Sequence, residues 1–256
     1  WLNKQEVHNK LTLGSVMTNA NANKQSIAAT ITQESEKAEI PKEFWQQLKI
    51  IYESHPEGKE NWKKERDLLG KIVKQISEAI ARKKFIIESP IQIGGTSVII
   101  KITDTMLNST RALKFPRPIE GRQELFIGII QSEIAHLLEA VHINIIEIYY
   151  RDKVFVEDVE YPFYIMKHIE NAKDGLDFFT SQEVTSTDLI NVLIQITEGV
   201  RHLHSLNIMH LDIKPENFLI STDGHAILTD LGSARKTLGE DEDVTIIYTR
   251  DYAHPG

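Results

Sequence analysis

The stretch HLDIKPENFLI, residues 210–220, decides the fold, because it sets an acid, a base and an amide at fixed intervals between apolar residues. These three residues are Asp212, Lys214 and Asn217. A second stretch, ILTDLGSA, places Asp230 after a short predicted strand. Carboxylate and amide oxygens on loops at strand ends suit a hard cation such as Mg²⁺. A metal held in this way also binds phosphate oxygens of a substrate, so we expect a phosphate-binding site here.

The segment upstream supplies a candidate ion pair. Lys114 lies near the end of a strand-like run, RALKF, and Glu133 lies on the helix that is predicted after it. A lysine between a sheet and a helix needs a counter-charge, because an unpaired charge is costly there. Glu133 can provide that charge while the ammonium group of Lys114 reaches a phosphate.

The composition is that of an ordinary globular protein of 256 residues, with 41% apolar and 26% charged residues. There is no cysteine, which excludes disulfides and thiolate metal sites and is compatible with a reducing compartment. The net charge of −8 gives no general attraction to nucleic acid, so we expect no nucleic-acid partner. The apolar runs are too short to cross a bilayer, and we expect no membrane segment.

We expect a cytoplasmic location, because the first residues lack a secretion signal. If the high content of Ile, Lys and Asn reflects an AT-rich bacterial genome, the alternative is a secreted effector that acts in a host cytosol. The chain opens on Trp1 rather than Met, and we expect it to be a piece of a longer protein.

The hydropathy pattern divides the chain into four parts. Residues 1–40 are polar, with little periodicity, and predict a tail or linker. Residues 41–84 have apolar residues at helical spacing and predict a helical extension whose polar side carries Lys, Arg and Glu. Residues 85–169 are rich in strand-like runs, and residues 170–256 are mainly helical. The pattern indicates an α+β fold with two packed halves and a ligand-binding cleft between them.

The helical extension has two interpretations. The first is a support that docks on the following domain through its apolar side. The second is a surface that binds a regulatory partner protein. The sequence leaves both open.

From Ile91 onward the sequence resembles the eukaryotic-type protein kinase family, in its serine/threonine branch. HLDIKPEN is similar to the catalytic loop H-R-D-L-K-x-x-N, DLG to D-F-G, and RALK to the lysine strand V-A-I-K. EIAHLLEAVHINII resembles the helix with the partner glutamate, and TRDYAHPG resembles T-x-x-Y-x-A-P-E. The resemblance implies a bilobal fold with a small antiparallel-sheet N-lobe and a helical C-lobe. We expect the C-lobe to be incomplete, since the sequence stops at Gly256.

The resemblance implies an ATP- and Mg²⁺-dependent enzyme that transfers the γ-phosphoryl group to serine or threonine hydroxyls of a protein substrate. Asp212 would orient the acceptor hydroxyl and take its proton, and Lys214 would neutralise charge on the transferred group. Asn217 and Asp230 would hold Mg²⁺. Thr249 stands where the serine/threonine branch has a threonine near the catalytic aspartate.

The nucleotide is expected to bind between the first strands and the segment that joins the two lobes. Lys114, fixed by Glu133, would hold the α- and β-phosphates, and backbone groups of the joining segment would meet adenine. Met166 would be the gatekeeper of this pocket, or it would simply fill the core. The residues expected to contact nucleotide are Gly94, Gly95, Thr96, Ser97, Lys114, Met166, Lys167 and Ile169.

Four departures from the family pattern bear on activity. The glycine-rich loop keeps only its middle glycine, Gly94, although small neighbours still allow phosphates to approach. Leu211 replaces the usual arginine, so the chain is of the non-RD type, and loop phosphorylation within 233–248 is not expected to be the main switch. Gly256 replaces the glutamate of A-P-E. Leu231 replaces phenylalanine and is expected to fill the same gap beside the other residues of the internal spine, Leu137, Ile148 and His210.

These departures keep a second function open, a catalytically idle kinase-like module that binds nucleotide or a partner protein. A third alternative, a kinase of small molecules, is disfavoured by the K-P-E-N stretch and Thr249. A zinc site at His202, His204 and His210 is also disfavoured, because no cysteine or carboxylate lies at ligand spacing. The expected role of His210 is structural.

Overall fold

The structure is a computed structural model, and it describes residues 40–54 and 58–237. Two helices come first: α1 spans Lys42–Glu53 and α2 spans Gly58–Ala81. The apolar spacing predicts both helices, but α2 ends before the predicted end at Lys84, whose φ of 67° is incompatible with a helix. The predicted tail lies outside the described residues except for Ile40.

The two helices of the extension pack against the following sheet in one hydrophobic core. Burial of each large apolar side chain contributes about 1.5–3 kcal/mol to stability, so the extension is held firmly in place. This packing is what the support interpretation requires. The helix residues in this core are Phe44, Leu48, Tyr52, Leu69, Ile72, Val73, Ile76 and Ile80.

The strand-like runs form a five-stranded antiparallel sheet in the order β1–β2–β3–β5–β4. In the β3–β5 pair, Lys114 lies opposite Tyr164 and Ala112 lies opposite Met166, so these four side chains share one face. The strand bounds are Phe85–Ile93 for β1, Ser97–Asp104 for β2, Ser109–Pro116 for β3, Ile148–Val156 for β4 and Val159–Lys167 for β5.

Helix α3, Gln123–Glu139, crosses from β3 toward β4 and contacts both β3 and β5. The apolar run NIIEIYY predicts a strand from Asn144, but β4 begins only at Ile148. Tertiary contacts explain the difference. Ile145 forms a parallel bridge with Leu228, and the Ile146 amide donates to the Leu228 carbonyl at 2.9 Å, so this part of the chain pairs with another segment.

The second half is mainly helical, with short strands around the loops. Helix α4 spans Gly175–Thr180, and α5 spans Ser186–Ser205 and begins with a capping box between Thr185 and Asp188. Strands β6, β8 and β9 form one small sheet, and β7 pairs with β10. Their bounds are Lys173–Asp174 for β6, Ile208–Met209 for β7, Phe218–Ile220 for β8, Ala226–Leu228 for β9 and Arg235–Lys236 for β10.

A second hydrophobic core joins α3 and α5 to the β8–β9 hairpin. The antiparallel sheet and the helices that follow it confirm the predicted α+β class. Within the described residues, no helix combines the length and apolarity needed to cross a membrane.

Candidate active site

A cavity of about 480 Å³ lies between the sheet and the helical half. Its size is within the usual range for small-molecule sites. It contains every residue predicted to contact nucleotide, together with three residues of the predicted catalytic and metal sites. These residues are Gly94, Gly95, Thr96, Ser97, Lys114, Met166, Lys167, Ile169, Lys214, Asn217 and Asp230. A larger concavity of about 730 Å³ beside α5 contains none of them.

Lys114 is held by two carboxylates. Its Nζ lies 2.9 Å from Glu133 Oε1 and 3.1 Å from Asp230 Oδ1. The Lys114 and Glu133 side chains are only 5% and 1% exposed, so this is a buried pair that needs both partners. Burial lowers the pKa of Lys114, but the charges of Asp230 and Glu133 outweigh burial and raise it. Lys114 is therefore a permanent cation at the inner end of the cavity.

Asp230 follows β9 and has a left-handed backbone conformation, with φ of 60° and ψ of 70°. A residue other than glycine adopts this conformation only where its surroundings impose it, which is common at functional sites. The side chain is 47% exposed, toward a cavity that it helps to line. The positive charge of Lys114 lowers the pKa of Asp230, so the carboxylate stays ionised at neutral pH.

The catalytic-loop residues form a compact cluster beside Asp230. Lys214 Nζ lies 2.8 Å from Asp212 Oδ2. The Asn217 amide nitrogen donates to the Asp212 carbonyl at 2.8 Å and to its carboxylate at 3.1 Å. The Thr229 amide donates to the Asn217 carbonyl at 2.8 Å, which ties this loop to the segment that carries Asp230.

The donor atoms fit a magnesium ion better than a metal that needs an all-protein cage. The nitrogen of the Asn217 side chain makes both hydrogen bonds to Asp212, so its amide oxygen would be available to a metal ion in the cavity that Asn217 and Asp230 both line. Mg²⁺ is usually bound by one or two protein oxygens, with phosphates and water completing the shell. Among the described residues, no three His, Cys, Asp or Glu side chains form a group that could hold a metal ion.

His210 connects the two halves of this cluster. Its ring is 2% exposed, accepts a hydrogen bond from the Asp212 amide at Nδ1 (3.3 Å) and donates from Nε2 to the Thr229 carbonyl (3.1 Å). The bond at Nδ1 requires the neutral ring, because a protonated Nδ1 cannot accept from the Asp212 amide. Burial lowers the pKa of His210 below its usual 6.5, and the carboxylates of Asp212 and Asp230 only partly oppose this.

A pH dependence of stability follows from this neutral ring. A histidine with a lowered pKa in the folded state contributes stability above pH 6.5, and this stability is lost as pH falls through the folded pKa. We expect the free energy of unfolding in urea to fall between pH 7.5 and 5.5. A His210→Gln variant, which offers an acceptor and a donor but does not titrate, should show a flatter profile. An identical slope in both proteins would contradict this role.

The residues of the expected internal spine pack together. Leu137 and Leu231 belong to the second hydrophobic core, Ile148 packs against it, and His210 is buried. Leu231 therefore occupies a fully buried position, as expected for a substitute of phenylalanine. Leu211, at the position of the usual arginine, has a φ of 63° beside the catalytic loop. Thr249, Gly256 and residues 238–248 of the loop lie outside the described residues.

Sequence reasoning missed Tyr164, which lines the cavity, and the buried pair of Glu65 and Arg117. Tyr164 is 1% exposed and faces the site beside Lys114; burial and the charge of Glu133 raise its pKa. The alternation of side chains along β5 places Tyr164 on the same face as Met166, and this pattern in the sequence could have predicted its position.

Glu65 is expected on the exposed polar side of α2, but it is 4% exposed and pairs with Arg117. No local pattern distinguishes Glu65 from its charged neighbours.

Comparison with known proteins gives consistent results. A family model described as the protein kinase domain matches residues 85–256. The chain is similar to the serine/threonine-protein kinase shk2 of Schizosaccharomyces pombe, with 29% identity over 128 residues. It is also similar to serine/threonine-protein kinase H1 of Homo sapiens, with 31% identity over 161 residues, and to serine/threonine-protein kinase PknL of Mycobacterium tuberculosis, with 26% identity over 160 residues.

Each alignment covers only part of this chain and only part of the relative. They cover 50%, 60% and 62% of this chain for shk2, H1 and PknL. The chain spans only 21%, 36% and 39% of the length of those three relatives.

Proposed function

Because the chain belongs to the protein kinase family, we propose that it transfers the γ-phosphoryl group of ATP to serine or threonine hydroxyls of a protein substrate. One observation carries this proposal. A single cavity is lined by Lys114, Asp230, Lys214 and Asn217. Lys114 forms a buried pair with Glu133, and both Lys214 and Asn217 contact Asp212.

The nucleotide would enter between the β1–β2 turn and the end of β5. Lys114 already lies between Glu133 and Asp230, so it would meet the α- and β-phosphates with little rearrangement. Lys167 and Ile169 also line the cavity, and their backbone groups would meet adenine. Catalysis of phosphoryl transfer depends mainly on positioning and charge neutralisation, and these residues supply both.

The acceptor hydroxyl would lie beside Asp212. The Asp212 carboxylate would accept the hydroxyl proton, and Lys214, 2.8 Å away, would stabilise charge on the transferred group. Asn217 and Asp230 would hold Mg²⁺, which would supply positive charge against the negative charge of the phosphates. The lysine at position 214 supports the choice of serine and threonine, through the resemblance of K-P-E-N to that branch.

A catalytically idle nucleotide-binding module is the second candidate. Two observations favour it: the β1–β2 turn has glycine only at Gly94 and Gly95, and Leu211 replaces the arginine of the catalytic loop. Both functions need the same cavity, and they differ in whether the phosphoryl group leaves ATP.

Incubation of the full-length protein with labelled ATP and generic protein substrates separates the two candidates. We expect label on serine and threonine, and no transfer above background would favour the idle module. Thermal shift should detect nucleotide in either case, because a ligand at 100 times its Kd stabilises the folded state by about 2.7 kcal/mol.

Substitution Asp230→Asn tests the metal site in the same assay. We expect it to remove most of the Mg²⁺-dependent part of this stabilisation, because a neutral amide replaces the charged ligand. The matched control is Asp67→Asn, at a side chain of α2 that is 83% exposed. Equal Mg²⁺ dependence in both variants would contradict the proposed role of Asp230.

The cytoplasmic location and the binding of a regulatory partner by the helical extension remain predictions.

A further inference from the structure

A buried ion pair joins the helical extension to the end of β3. Arg117 binds Glu65 of α2 in a bidentate manner, with Nε 2.7 Å from Oε2 and Nη2 2.8 Å from Oε1. The Arg117 and Glu65 side chains are 12% and 4% exposed. From α1, the Tyr52 hydroxyl donates to Glu65 Oε2 at 2.7 Å, and the guanidinium lies over the Tyr52 ring at 5.1 Å. Both helices of the extension therefore contact this one arginine.

Arg117 also contacts the β1–β2 turn, residues 94–97, which lines the candidate nucleotide site. Its Nη1 donates to the Gly94 carbonyl at 3.2 Å, and its backbone amide donates to the Thr96 carbonyl at 2.9 Å. The turn has one internal backbone bond, from the Gly94 amide to the Ser97 carbonyl at 2.9 Å. Arg117, which lies outside the turn, thus holds both Gly94 and Thr96 by hydrogen bonds to their carbonyl groups.

Attachment of the extension to the sheet does not by itself explain this charged group. The hydrophobic core between α1, α2 and the sheet already provides attachment. A buried ion pair is often no more stabilising than apolar side chains of the same size, because both charges lose their hydration. A guanidinium differs from an apolar group in one respect: it can donate to the Gly94 carbonyl while its other nitrogens are held by Glu65.

We propose that Arg117 is a positioning residue for the nucleotide-binding turn, and that the extension sets the position of Arg117 through Glu65 and Tyr52. This inference rests on the proposed function, since it assigns the turn to ATP phosphates. It gives a physical role to the extension in a chain whose glycine-rich loop keeps few glycines. Phosphate binding by backbone amides requires the turn to be held in one conformation, and Arg117 supplies a restraint from outside the turn. A shift of α2 would move Glu65 and thereby change the affinity for ATP.

Three variants of the full-length protein test the inference. Glu65→Gln removes the charge that holds Arg117. The double variant Glu65→Met/Arg117→Met removes both charges, so it avoids an unpaired buried ion while the Gly94 carbonyl loses its donor. The control is Lys71→Gln, which breaks an exposed ion pair between α2 and the β4–β5 turn, Lys71–Glu157, whose side chains are 57% and 60% exposed.

We expect the KM for ATP to rise about tenfold in Glu65→Gln and in the double variant, since a hydrogen bond from a charged group is worth about that factor. The kcat at saturating ATP should stay within about twofold, because Arg117 does not touch the catalytic loop. In nucleotide-free protein, amide hydrogen exchange at residues 95–97 should become faster in both variants. Lys71→Gln should leave all three quantities at their wild-type values.

Two results keep this inference separate from the proposed function. If the double variant keeps the wild-type KM for ATP and the wild-type exchange at residues 95–97, whatever its stability in urea, Arg117 does not position the turn and the inference is wrong. If the wild type neither binds ATP nor transfers phosphate, the proposed function is wrong. Faster exchange at residues 95–97 would then still support the restraint of the turn by Arg117.

Discussion

Replacing Asp212 with asparagine is expected to lower kcat by about 10²–10⁴-fold, the usual contribution of a positioned general base. The carboxylate is the one group in the catalytic-loop cluster that can accept a proton from an acceptor hydroxyl. Lys214 lies 2.8 Å from Asp212 Oδ2, where it pairs with the carboxylate. The asparagine has the same shape and keeps an oxygen toward the Asn217 amide, which lies 3.1 Å from the carboxylate.

The KM for ATP should change by less than about twofold in Asp212→Asn, because Asp212 does not line the nucleotide cavity. The assay is steady-state transfer from labelled ATP, with nucleotide affinity measured separately by thermal shift. Asp67→Asn, at the exposed position on α2, is the matched control and should retain wild-type rates. Transfer by Asp212→Asn at the wild-type rate would show that another group accepts the proton.

Replacing Lys114 with methionine is expected to damage both activity and stability. The methionine leaves Glu133, which is 0% exposed, as an unpaired carboxylate in the core. Removing one partner of a buried pair costs about 3–5 kcal/mol of unfolding free energy. The loss of the ammonium group at the phosphates should lower kcat/KM for ATP by about 10²–10³-fold, as for other preorganised charge donors.

The double variant Lys114→Met/Glu133→Leu separates these two effects. With both charges removed, the free energy of unfolding in urea should return most of the way to the wild-type value. The kcat/KM for ATP should stay low, because no cation is restored at the phosphates. Recovery of activity together with stability would mean that Lys114 acts only through the fold, and its proposed role at ATP would be wrong.

Much of the candidate site could be predicted from sequence because its key spacings are local. Asp212, Lys214 and Asn217 lie within six residues, so a short loop brings their side chains together whatever surrounds it. The strand ending near Lys114 and the helix carrying Glu133 are likewise visible in the apolar periodicity. The resemblance to the kinase family then indicates that these separate motifs share one cleft.

Other features depend on partners that are distant in sequence. The apolar run from Asn144 predicts a strand. However, Ile145 pairs with Leu228 instead, and β4 begins only at Ile148. Glu65 has the same local pattern as the exposed acids of α2. It is buried because it pairs with Arg117, which is 52 residues away in sequence and directly follows β3.

The sequence by itself determined the α+β class, the two helices of the extension and the residue types of the catalytic loop. These properties follow from periodicity and from short-range spacing, which a single chain segment contains. Only the tertiary structure decided that Lys114 is shared by Glu133 and Asp230 and that Tyr164 lines the cavity. It also decided that the extension contacts the nucleotide-binding turn through Arg117. The physical reason is that burial and pairing of charges depend on which distant surfaces the hydrophobic cores bring together.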